Sequence, residues 1–137
     1  MEKKSQPISA NTSWRGHGTI LLVDDEESVC MVTSRMLKFL GFSVLVANDG
    51  QQGVDLFRVH QEKITAVILD LTMPRLNGEK AFQEIRRIKS DVRVLLFSGY
   101  TEQEATERFA GKGLFGFLQK PFHPDELIAK MRTLTEK

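Results

Sequence analysis

From Thr19 onward, short apolar runs alternate with amphipathic stretches, and the alternation repeats five times. Residues 20–23 form the first run and end in Asp24 and Asp25. Val29, Val32, Met36, Leu37 and Leu40 then recur at helical spacing until Gly41 predicts a stop. Residues 43–46 are β-rich, and residues 50–59 place Val54, Leu56 and Phe57 near one helical face. Residues 64–69 are apolar throughout and are closed by Asp70; the lack of polar alternation predicts a central strand. After the turn TMPRLNG, residues 79–88 repeat Phe82, Ile85 and Ile88. A fourth strand over residues 92–97 leads into Ser98 and Gly99. A polar helix over residues 101–110 follows, with Thr101 as N-cap, then a fifth strand over residues 114–118. The last helix starts at Pro124 and carries Leu127, Ile128, Met131 and Leu134. Strand and helix in regular alternation predict an α/β domain with a parallel sheet. Residues 1–18 show no period and read as a flexible tail or linker, which leaves one domain over residues 19–137.

Composition narrows the function without naming it. A chain of 137 residues, 41% hydrophobic and 27% charged, suits one globular core. Nineteen Lys and Arg against eighteen Asp and Glu give a net charge of +1, so nothing electrostatic invites nucleic acid or an anionic membrane. No apolar run reaches the roughly 18 to 20 residues that span a bilayer. Cys30 is the single cysteine and has no internal disulfide partner; with no signal-peptide pattern at the start, a cytoplasmic location is expected.

Chemistry must therefore come from a local constellation. In an open parallel sheet, ligands bind beyond the carboxyl ends of the strands. Those ends carry Asp24 and Asp25, Asp70, Ser98, and then Lys120 just past strand five. Three converging carboxylates repel one another unless a cation offsets the charge, and magnesium favours a few protein oxygens with several waters. Magnesium beside a carboxylate points to phosphoryl transfer. One Asp can act as nucleophile and form an aspartyl phosphate, while the metal, Lys120 and the Ser98 hydroxyl hold the terminal oxygens.

The segments ILLVDDEESV, VILDLTMPRLNG, VLLFSGY and GFLQKPFHPDEL resemble, in order, the four signature segments of response-regulator receiver domains. The resemblance covers about residues 19–137. It implies a flavodoxin-like (βα)5 three-layer sandwich whose five-stranded parallel sheet has the order 2-1-3-4-5. It also implies roles: Asp24 and Asp25 as the acidic metal pair, Asp70 as phosphoacceptor and metal ligand, and the Thr72 backbone carbonyl as a further magnesium ligand. Lys120 becomes the phosphate-binding lysine, Ser98 and Phe117 the switch residues, and Tyr100 a gate on water access. The Lys120–Pro121 bond is expected to be cis. Phe117 lacks the phenolic hydroxyl common at its position, so its ring is expected to point inward in much of the unphosphorylated population. His123 stands where a capping Asp or Ser is frequent, which predicts a weakened cap on the last helix.

Singly, an Asp at a strand end is a turn or capping residue; it is the set that carries the phosphoryl reading. GKGLFG matches a dinucleotide pattern but follows a helix and opens a strand, the reverse of a phosphate cradle. Cys30 reads as a small packing residue, and His17, His60 and His123 are too scattered for a metal cluster. The function expected is a phosphoacceptor, not an enzyme. It would be charged by a histidine kinase or histidine phosphotransfer domain and read by a downstream partner on the face of the fourth helix, fifth strand and fifth helix. No direct contact with nucleic acid or membrane is expected. The alternative is a pseudo-receiver that binds partners without phosphorylation, against which Asp25, Asp70 and Lys120 stand. An aspartyl-nucleophile phosphatase would need an acid two residues past Asp70, where Thr72 sits. The polar stretch before Thr19 resembles the linker ahead of the receiver in hybrid histidine kinases; a free-standing regulator fits as well.

Overall fold

The computed structural model describes residues 14–70, 78–98, 116–119 and 122–135. Among them the chain forms β1 (Thr19–Val23), α1 (Glu27–Phe39), β2 (Ser43–Ala47), α2 (Gly50–His60), β3 (Ile64–Asp70), α3 (Gly78–Ile88), β4 (Arg93–Ser98), β5 (Gly116–Gln119) and a C-terminal helix (Pro124–Thr135). The helix expected over residues 101–110 and the Lys120–Pro121 bond lie outside the described residues.

All strand pairs are parallel and the order is β2-β1-β3-β4-β5, so the continuous apolar run of β3 is central, as its lack of alternation predicts. Alternating side chains of each strand feed opposite layers. Leu21 and Val23 join Val54 and Phe57 of α2 and Phe82 and Ile85 of α3 on one face. Ile20 and Leu22 join Cys30 and Leu37 of α1 and Leu127 and Met131 of the C-terminal helix on the other. The result is the expected three-layer sandwich.

Helix ends follow local chemistry. α1 closes in a Schellman motif: Phe42 N–H donates to the Leu37 carbonyl at 3.1 Å and Gly41 N–H to that of Lys38 at 3.0 Å. Gly41 has φ +107°, which a side chain disfavours. At α2 the Asp49 carboxylate accepts from Gln52 N–H at 2.8 Å, while Gln52 Oε1 accepts from Asn48 N–H at 2.7 Å. The C-terminal helix keeps half a capping box despite His123, because Glu126 Oε1 accepts from His123 N–H at 2.7 Å. Its other end is covered by Arg93, which donates to the Leu134 carbonyl at 2.8 Å.

Two expectations need correction. The buried stripe of α1 is Cys30, Thr33 and Leu37, continued by Leu40 just beyond the helix, whereas Val32 is 53% exposed. Apolarity alone selected Val32; the helix is rotated so that the smaller Cys30 and Thr33 face the sheet. Packing against the domain also begins earlier than Thr19. Gly16 N–H donates to the Leu40 carbonyl at 2.7 Å, and the Trp14 ring lies 6.0 Å from that of Phe42, so residues 14–18 are not a free tail.

Candidate functional site

The strand register brings the acidic residues together. Val23 of β1 pairs with Leu69 of β3, so Asp24 and Asp70, the next residues along each strand, stand abreast at the carboxyl end of the sheet. One carboxylate oxygen from each of Asp24, Asp25 and Asp70 falls within 4.8 Å of the others. Asp24 and Asp70 are buried, at 0% and 1% exposure, and Asp25 is exposed. Two unit charges about 4.8 Å apart repel by about 3.5 kcal/mol at an effective dielectric near 20, a cost that a bound cation would offset.

Asp24 is held at three points. Its N–H donates to the Ala47 carbonyl at 3.1 Å, its Oδ1 accepts from Glu26 N–H at 2.9 Å, and its carbonyl accepts from Cys30 Sγ at 3.2 Å. The first bond ties it to β2 and the other two to the start of α1. The thiol contact gives Cys30 a use beyond packing that its place on an apolar face did not reveal.

These residues fit a hard divalent cation. All donors are carboxylate oxygens, two are rigidly placed on the sheet, and the exposed Asp25 leaves one side open to water, the arrangement magnesium accepts. Ser98 is the last residue of β4, next to Phe97, which pairs with Asp70. Thr72, Tyr100, Lys120 and the Ser98 hydroxyl lie outside the described residues. Phe117 is 6% exposed, paired with Leu96 and in the same core layer as Phe82 and Ile85, so its ring is buried.

A feature without a signal in the alternation pattern lies beside the acids. A cleft of about 550 Å³ opens between α1 and the start of the C-terminal helix, bounded by Glu26, Val29, Val32, Thr33, Phe122 and Pro124. The Thr33 hydroxyl is buried with no hydrogen-bond partner among the described residues. Met31 and Val32 leave apolar surface exposed nearby, at 52% and 53%. The available clue was that α1 carries more apolar residues than one stripe needs. No helix among the described residues is long and apolar enough to cross a membrane.

Comparison with known proteins agrees with this geometry. The chain is 29% identical over 134 residues to the sensor kinase CckA of Brucella abortus, covering 98% of this chain and 14% of that protein. It is 37% identical over 120 residues to the response regulator MprA of Mycolicibacterium vanbaalenii, covering 86% of this chain and 50% of that protein. The chain thus spans half or less of the length of these relatives. A receiver domain structure from Clostridium thermocellum superposes with a TM-score of 0.78 at 28% identity, over 85% of this chain and 94% of that one. With residues 20–132 matching the response regulator receiver domain family, the chain belongs to that family and is a phosphoacceptor domain of two-component signalling.

Proposed function

We propose that Asp70 accepts the phosphoryl group from a phosphohistidine, with magnesium held by Asp24, Asp25, Asp70 and the Thr72 carbonyl. The observation that carries this reading is the approach of the three carboxylates to within 4.8 Å at the carboxyl ends of β1 and β3. Asp70 terminates the central strand and is paired with Phe97 of β4, so its oxygen can be aimed in line with the bond that breaks. An Asp70 oxygen forms the new O–P bond while the donor's P–N bond breaks and its electron pair returns to the imidazole nitrogen. The magnesium ion, when bound, neutralises charge on the phosphoryl oxygens. Lys120 and the Ser98 hydroxyl serve the remaining oxygens as charged and neutral donors.

The donor is a histidine kinase or a histidine phosphotransfer domain. Its contact surface is the cleft between α1 and the C-terminal helix, which starts at Glu26 beside the acids and offers apolar walls to a helix. The output leaves through residues 101–110, β5 and the C-terminal helix. The similarity to a sensor kinase in a segment that is 14% of its length supports a place inside a hybrid histidine kinase, in the cytoplasm. The domain itself is not an enzyme with an external substrate.

The test is incubation with acetyl phosphate and magnesium, read by intact mass. One phosphoryl group is expected on the wild-type chain and none on Asp70→Asn. Full labelling of Asp70→Asn would transfer the acceptor role to another residue.

A further inference from the structure

The same two helices form both ends of one seam. α1 and the C-terminal helix share the core layer that contains Leu37, Met131 and Leu134, with Trp14 and Phe122 packed against it. At one end the seam is open, as the cleft walled by Val29, Val32 and Thr33 of α1 and by Phe122 and Pro124. At the other end it is closed by the chain before β1. Trp14 lies against Phe42, just past α1, at 6.0 Å and 51°, and the Arg132 guanidinium of the C-terminal helix sits 5.8 Å from the Trp14 ring centre. The Arg15 guanidinium lies 4.9 Å over Phe39, the last residue of α1.

The backbone is fitted to this contact from both sides. Gly16 N–H donates to the Leu40 carbonyl at 2.7 Å and the Gly18 carbonyl accepts from Ser43 N–H at 2.9 Å. A Cβ on Gly16 would collide with the Phe42 ring, and one on Gly41 would stand 2.5 Å from the Gly16 carbonyl oxygen. A segment that merely passed by would not need two glycines to meet its neighbours.

We propose that residues 14–18 are a seated strap that pins α1 to the C-terminal helix, and that its seating sets the width of the cleft at the far end of their seam. Packed helices move as stiff bodies that slide against each other, so loosening a wedge at one end changes the gap at the other. Whatever chain precedes Trp14 thereby gains a handle on phosphodonor docking. The docking part rests on the reading of the cleft and of Asp70 given above; the seating does not.

Trp14 is the single tryptophan, so its fluorescence in the full chain reports the strap alone. Gly16→Ala keeps the indole but places a Cβ in collision with the Phe42 ring, so the strap and the ring must part. It is expected to red-shift the emission, increase quenching by acrylamide, and move the amide resonances of Val29, Val32, Thr33 and Phe122 as well as those beside the substitution. Phosphotransfer from a phosphorylated histidine phosphotransfer protein should slow several-fold through a raised KM, while labelling by acetyl phosphate, which needs no docking surface, stays unchanged. Trp14→Ala should give the same split without adding a Cβ at residue 16. Wild-type emission typical of a water-exposed indole would overturn the strap. So would amide changes confined to residues 14–18 and 39–43, or equal transfer kinetics in both variants and the wild type. Failure of acetyl phosphate to label the wild type would fall on the Asp70 reading, while emission and amide shifts still decide the strap.

Discussion

Asp24 stands abreast of Asp70 because β1 and β3 run parallel with Val23 paired to Leu69, and both carboxylates are buried where their strands end. The pair is rigid: one acid closes the central strand, and the other is tied to β2 and α1 through Ala47, Glu26 and Cys30. The exposed Asp25 completes the cluster from the solvent side. A site with two fixed acids and one adjustable acid suits an ion that must admit and release a phosphoryl group.

Asp25→Ala tests that division of labour. It removes the one acid of the three that lies in solvent, so the fold should survive, with denaturant midpoints close to wild type. Magnesium affinity, followed by titration of amide shifts, should fall by at least tenfold, about 1.4 kcal/mol, and acetyl phosphate labelling should fall with it. Normal affinity in this variant would remove Asp25 from the metal site.

Gly41→Ala is expected to destabilise the domain without touching the acids. At φ +107° a side chain is strained by roughly 1 to 2 kcal/mol, and here the new Cβ also meets the Gly16 carbonyl oxygen. Urea denaturation should show a lowered midpoint, with magnesium affinity at the wild-type level. An unchanged midpoint would mean that the turn after α1 adjusts freely.

Much of the fold and the acidic cluster are legible in the sequence, for definite reasons. The apolar run of β3 announces a strand buried on both faces, and acids at the ends of β1 and β3 announce a shared end of a parallel sheet. The strand order came from resemblance to receiver domains, since neither period nor composition encodes which strands are neighbours. A valine on a helix carries the same pattern signal whether it faces the core or a cleft, so spacing alone does not show that Val32 is 53% exposed. Trp14 gave no period at all; its place depends on Phe42 and Arg132, which are distant in sequence and reachable only once the sheet exists. The Cys30 contact with Asp24 was hidden for the same reason.

Thr33→Val is expected to stabilise the free domain or leave it unchanged. The Thr33 hydroxyl is buried and has no partner among the described residues, and a buried hydroxyl without a partner costs about 1 to 3 kcal/mol. Valine has the same shape without the polar atom. Thermal and urea denaturation should place the variant at or above wild type by up to about 1 kcal/mol. A clear loss of stability would mean that the hydroxyl is satisfied in solution.

Phe117 is inward, 6% exposed, paired with Leu96 and in the same core layer as Phe82 and Ile85. With no hydroxyl to hold it at the surface, the ring is already buried in the unphosphorylated domain. The ring therefore has little distance to travel, and the switch should consist of a shift in backbone populations. Addition of magnesium and beryllofluoride, a phosphoryl mimic, should move amide resonances from Asp24 and Asp70 through Ser98 and across residues 101–118, while the Phe117 ring resonances change little. Phe117→Ala should cost about 3 to 5 kcal/mol as a core cavity. Amide changes restricted to the acids, with residues 101–118 unmoved, would show that output does not pass through that face. Large ring shifts at Phe117 would show instead that the ring rotates after all, and that its inward pose is one of two populated states.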